Sequence, residues 1–149
     1  MPRRRPSAED FAGCVAGNLR AAARVATRVY DDALRPHGVR ITQVAILAQV
    51  RRLQPVSATD LSAALASERS ALARDVVILE RDGLVTTSAA TDDKRVRAIR
   101  LTARGAALLM ACAPAWRAAQ KSVRRALSTE RVNELIALSE ELVVGLNSD

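Results

Sequence analysis

Apolar residues recur at spacings of three and four along most of this 149-residue chain, and the period changes only once, between Gly83 and Thr102. A spacing of three and four puts side chains on one stripe of a helix, whereas alternation puts them on one face of a strand. The chain is therefore expected to be mainly α with a small β-hairpin. Val15, Leu19, Ala22, Ala26, Val29 and Ala33 mark a first helix from about Glu9 to Arg35, stopped by Pro36 and Gly38. Ile41 to Leu53, with Val44, Ile46, Leu47 and Val50 as its buried positions, reads as a second helix that breaks at Pro55 and Ser57. Ser57-Ala58-Thr59-Asp60 has the form of a capping box with Asp in the place of Glu or Gln, opening a short helix that carries Leu61, Ala64 and Leu65. The stretch Ala66 to Arg69 precedes a further helix through Asp82, with Leu72, Val76 and Leu79 inward and Gly83 as a left-handed cap. The β-prone runs Leu84–Ser88 and Val96–Leu101 then flank a charged tip. Thr102 caps a fifth helix, in which Pro114 predicts a kink or local break. Ser128 caps a sixth, whose Leu135, Leu138, Leu142 and Leu146 form a narrow stripe suited to a helix–helix interface.

Composition narrows the function classes. Alanine is abundant, while the aromatic residues are only Phe11, Tyr30 and Trp116. Thin helices of this kind complete their burial against another subunit, so a homodimer or other helical oligomer is expected. The net charge of +7 points to a polyanion. Residues 1–52 hold ten arginines against four acids, whereas residues 105–149 are balanced, so charge alone does not locate a binding face. Three rings argue against single-strand and RNA readers, which stack bases on exposed aromatics, and leave double-stranded DNA. Cys14 and Cys112 cannot form a disulfide scaffold, which favours a reducing cytoplasm. No secretory h-region follows the basic start, and no run approaches the roughly 20 apolar residues of a membrane span. His37, the one histidine, lies in a Pro-His-Gly turn without a visible nucleophile partner. No zinc spacing, phosphate loop or carboxylate pair is present, so no enzyme, metal or cofactor is expected.

A short helix, a tight turn, a second helix and a β-hairpin make a winged helix-turn-helix. The residues that fill it resemble the MarR family of bacterial transcriptional regulators. The matching runs are Asp60-Leu61-Ser62-Ala63-Ala64-Leu65, Arg69-Ser70-Ala71-Leu72-Ala73-Arg74 and Leu79-Glu80-Arg81-Asp82-Gly83-Leu84-Val85. In the wing, Asp93-Lys94-Arg95 is followed by Leu101-Thr102 and Gly105 at the family's spacing. The resemblance implies one MarR-type domain over 1–149, with dimerisation helices at about 9–35 and 105–147 around a DNA-binding lobe at about 41–104. It implies a cytoplasmic, nucleoid-associated regulator, in the main an effector-responsive repressor that binds a pseudo-palindromic operator as a homodimer.

Within that frame Arg69, Ser70 and Arg74 occupy the first turns of the recognition helix, where guanidinium groups can donate to guanine or phosphate. Family members often have Asp at the cap of this helix; here Glu68 follows Ser67, so Ser67 is expected to cap and to shift the helix start by one residue. The resemblance places Arg95 in a minor groove with Asp93 holding it, and Lys94 and Arg97 on phosphates. It also implies a small aromatic or acidic effector between the dimerisation helices and the DNA-binding lobe. Arg20, Arg24 and Arg28 share one face of the first helix, and an acidic effector, Asp31 and Asp32, or a partner subunit would answer them. Some members sense peroxide through a cysteine near the position of Cys14; a buried structural thiol is the plainer reading, and Cys112 reads as core. The competing functions are a sequence-neutral nucleoid-type DNA binder, a thiol-based redox regulator through Cys14, and a helical module whose hairpin binds protein.

Overall fold

A computed structural model of the chain describes residues 13–89 and 97–147. Helix α1 spans Val15–Leu34 and ends in a short 3-10 turn, Arg35–His37. Then come α2 (Ile41–Leu53), β1 (Val56–Ser57), α3 (Ala58–Ala64), α4 (Arg69–Arg81), β2 (Val85–Ala89), β3 (Arg97–Leu101), α5 (Ala103–Leu127) and α6 (Thr129–Leu146). The mainly helical class with a small hairpin is what the periodicity predicts. Helix α1 starts at Val15 rather than about Glu9, with Cys14 as a non-helical N-cap and Gly13 before it at a positive φ of 78°. Among the described residues, no helix is long and apolar enough to cross a membrane.

The main core lies under the helix-turn-helix. Leu47 and Val50 of α2, Leu61 of α3, Leu72, Val76 and Leu79 of α4, and Val85 and Ile99 of the hairpin pack as one cluster. A smaller cluster joins Leu34, Val39, Val44 and Cys112, tying the end of α1 to α2 and α5. Two expectations for α3 change: Ala64 is exposed, and the inward position beside Leu61 belongs to Ser62, whose hydroxyl donates to the Thr59 carbonyl at 2.8 Å. That local bond removes the cost of burying the hydroxyl.

β1 is not foreseen by the sequence. It pairs antiparallel with β3 (Val56 opposite Ile99), giving the order β1-β3-β2. Ser57 caps α3 by accepting from the Asp60 N–H at 3.0 Å, and its hydroxyl donates to the Asp60 carboxylate at 2.7 Å. The N-terminus of α2 is served from a distance, since Asp31 accepts from the Ile41 N–H at 2.7 Å.

At the wing root, Gly83 (φ 71°) ends α4 in a Schellman turn, with Leu84 N–H on the Leu79 carbonyl and Gly83 N–H on that of Glu80. Thr102 caps α5 as expected, accepting from the Gly105 N–H at 2.9 Å, while its hydroxyl is also 2.7 Å from the Gly83 carbonyl. An added Cβ at Gly105 would lie 2.0 Å from the Leu84 carbonyl oxygen, so only glycine lets α5 begin this close to the hairpin. Of the kink or local break expected at Pro114, the break does not occur. α5 runs through it for 25 residues, because its ring is on the exposed face and the adjacent turns are held by α1 and α2. Tyr30 of α1 meets Trp116 of α5 at a ring separation of 6.4 Å and donates a hydrogen bond to Gln120.

Candidate nucleic-acid interface

The turn between α3 and α4 is built like a helix C-cap. Ser67 N–H donates to the Ser62 carbonyl and Ala66 N–H to that of Ala63, with Ala66 at a φ of 47°. This turn fixes where α4 emerges. Glu68, not Ser67, occupies its N-cap, and neither supplies a side-chain cap bond. The expected capping role of Ser67 is therefore incorrect: the left-handed turn at Ala66 puts Ser67 one residue too early. The first-turn N–H groups of α4 are left without a side-chain acceptor, which suits them to an anion.

The inward stripe Leu72, Val76 and Leu79 fixes the opposite stripe. Ser70, Arg74, Val77 and Arg81 all face outward at helical spacing and are exposed, with Arg69 and Ala73 exposed beside them. Arg81 pairs with Asp82 at 3.1 Å on the surface. The structure thus brings Arg69, Ser70 and Arg74 onto the free side of α4, together with a valine that the charge pattern does not single out. A step of three residues from Arg74 along the helix would find it.

The wing root is tied to the end of α4 through one carboxylate. Glu80 accepts from the Thr87 N–H at 2.8 Å and from the Thr87 hydroxyl at 2.5 Å, and Arg97 donates to that hydroxyl oxygen at 2.7 Å. These Thr87 bonds, with Arg97 adding to them, hold the Glu80 carboxyl below its usual range. Arg97 is therefore already engaged on the hairpin rather than reaching freely for a phosphate, and the neighbouring exposed cation on β3 is Arg100. Asp93, Lys94 and Arg95 lie outside the described residues.

The remaining candidates are scattered. Arg20, Arg24 and Arg28 are exposed along α1. The two acids expected to answer them serve elsewhere: Asp31 caps α2 and Asp32 pairs with Arg35. In the single chain Cys14 is exposed at the N-cap of α1, whereas Cys112 is buried and its thiol pushed up by burial. His37 is half-buried and lines a mixed polar and apolar groove together with Arg104 and Asp82. Among the described residues no group of His, Cys, Asp or Glu could hold a metal ion. An apolar groove of about 370 Å³ opens between α2 and α5, lined by Ile41, Val44, Ala48, Met110 and Trp116.

This arrangement of α3, turn, α4 and wing is shared with known proteins. The MarR family model matches residues 39–96. The transcriptional regulator MosR of M. tuberculosis is 33% identical, over 91% of this chain and 98% of its own, with a TM-score of 0.77. Its structure in complex with DNA gives 34% identity over 90% and 98%, with a TM-score of 0.78. A cysteine-to-serine mutant of E. coli MarR, complexed with operator DNA, shares the fold at 20% identity over 92% and 99%, with a TM-score of 0.81. CouR of Rhodococcus jostii RHA1, bound to p-coumaroyl-CoA, shares it at 19% identity over 89% and 94%, with a TM-score of 0.75. No curated protein is matched by the chain. The chain belongs to the MarR family of winged-helix transcriptional regulators.

Proposed function

We propose that the chain is a sequence-specific regulator that binds a pseudo-palindromic site on double-stranded DNA as a homodimer. The observation that carries this reading is the free face of α4, where Arg69, Ser70 and Arg74 stand exposed beside a helix N-terminus without a side-chain cap. Inserted in a major groove, that face offers guanidinium groups to guanine edges and N–H groups to phosphate. The segment with Asp93, Lys94 and Arg95 takes the adjacent minor groove, with Arg95 as the inserted cation. MosR with DNA and MarR with operator DNA support this placement by likeness.

Residues 13–35 and 105–147 make the two-fold interface in this reading, and 41–104 form the DNA-binding lobe. The support is exposed apolar surface: Val15, Leu19 and Val25 on α1 and Leu135, Leu138, Leu142 and Leu146 on α6 are exposed in the single chain. Surface of that extent calls for a partner. The regulator acts as an effector-responsive repressor, its effector an aromatic molecule in the α2–α5 groove. The apolar lining beside Trp116 supports that class, and CouR with p-coumaroyl-CoA is the relative that suggests it.

The test is a titration of genomic duplex fragments at several salt concentrations. Log affinity should fall with log salt at about 0.9 per phosphate neutralised. Alanine at Arg74 should weaken the specific site by about 1–3 kcal/mol. Absence of binding at low salt refutes the reading, and a specific-to-random affinity ratio near one replaces it with a sequence-neutral binder.

A further inference from the structure

Val77 is the anomaly of the recognition helix. It is 64% exposed in the middle of α4, on the same outward stripe as Ser70, Arg74 and Arg81. A β-branched residue there is a poorer helix former than alanine and adds nothing to the core. Ala73, one turn earlier, is exposed beside it and Ile78 is 37% exposed next to it, making a small apolar patch between Arg74 and Arg81. A protein partner for this face would have to accommodate several like charges around a very small apolar centre. The major groove of DNA matches both features: phosphates answer the arginines, and the thymine C5-methyl is the one apolar group the groove presents.

Resting on the DNA-binding reading above, we infer that Val77, with Ala73, reads a thymine methyl in each half-site and so determines sequence preference. Arg69 and Arg74 supply the charge, while the valine distinguishes a thymine from a cytosine at the position it faces. The contact is apolar, so it adds specificity without adding to the salt dependence.

The experiment starts from duplexes selected by the wild-type protein out of a randomised pool. Each thymine of the selected half-site is then replaced in turn by deoxyuridine, which removes only the methyl. At one position the wild type should lose about fourfold in affinity per half-site, the equivalent of about 0.8 kcal/mol for a buried methyl-sized group. Val77→Ala should bind the thymine duplex more weakly than wild type and show no further loss on deoxyuridine, with its salt slope unchanged. Its exposure means that folding is preserved, which the urea midpoint checks. A selected half-site without thymine, or deoxyuridine losses equal in wild type and Val77→Ala, overturns the inference while leaving DNA binding intact. If the wild type selects no duplex at all, the underlying reading falls first and this inference with it.

Discussion

Replacing Gly105 by alanine puts two opposed effects in one residue. In an ordinary helical position the change gains up to about 1 kcal/mol, because alanine gives up less backbone entropy. Here the new Cβ would sit 2.0 Å from the Leu84 carbonyl oxygen and 2.9 Å from Leu101 Cδ1. Reaching even 3.0 Å from that oxygen requires the start of α5 and the wing root to part by about 1.0 Å, the difference between 3.0 and 2.0 Å. Three hydrogen bonds cross that junction at 2.7–3.1 Å, from Thr102 Oγ1 to the Gly83 and Leu84 carbonyls and from Thr102 N–H to the Leu84 carbonyl. A parting of that size breaks or badly lengthens two of them, at about 1 kcal/mol each, and adds overpacking strain of about 1–3 kcal/mol. After subtracting the helical gain, Gly105→Ala is expected to lose about 2–4 kcal/mol. In urea, at fixed protein concentration, the midpoint should drop by about 1 M or more with little change in slope. Gly17→Ala, whose Cβ would meet only ordinary contacts at 3.8 Å, should hold or gain stability. A Gly105→Ala midpoint at or above wild type would refute the close-approach argument.

Other outcomes follow from the same geometry. Ala66→Gly relieves a φ of 47° in the turn before α4 and should stabilise by about 0.5–1 kcal/mol, read as a higher urea midpoint. Glu80→Gln should loosen the wing root, read as faster hydrogen exchange at the Thr87 amide. Because the folded Glu80 carboxyl is held below its usual 4.5, its contribution is complete above that pH and is lost as the pH falls through the lower folded value. Solvent screening keeps it to about 0.5 kcal/mol, and the Glu80→Gln protein should lack this acid-side change. Lys94→Ala should weaken all duplexes alike and reduce the salt slope by about one, whereas Arg95→Ala should relax preference at flanking A·T pairs. Equal, sequence-independent losses for the two would make Arg95 a phosphate contact only.

Legibility in the sequence tracks the range of the interactions. α2 falls on Ile41–Leu53 as its apolar spacing predicts, and Gly83 and Thr102 act as the local stop and start signals that they resemble. β1 is illegible because two residues carry no period; Val56 and Ser57 become a strand only through β3, far along the chain. Pro114 does not break α5, because the packing of the helix on both sides of it overrides the local rule for helix breaking. Ser67 misleads for a related reason, since its capping chemistry is right but the turn at Ala66 controls where the helix begins. In the candidate interface, Arg69, Ser70 and Arg74 are visible as charge and hydroxyl on one helix. The engagement of Arg97 with Thr87 is not, because it depends on strand register.

α5 also has a mechanical meaning. It leaves the hairpin one residue after β3 and runs unbroken for 25 residues, about 37 Å at 1.5 Å per residue. A rigid rod of that length converts a tilt of about 5° at one end into a displacement of about 3 Å at the other. Gly105 clamps the near end to the wing root, so the hairpin has little freedom to move without carrying the rod along. Near its middle, Pro114 cannot donate to the Met110 carbonyl, so that turn lacks one of the backbone hydrogen bonds that stiffen the rest of the rod. Bending there would move the far end of α5, with α6 attached to it, relative to α2 without unpicking the core around Leu47 and Leu79.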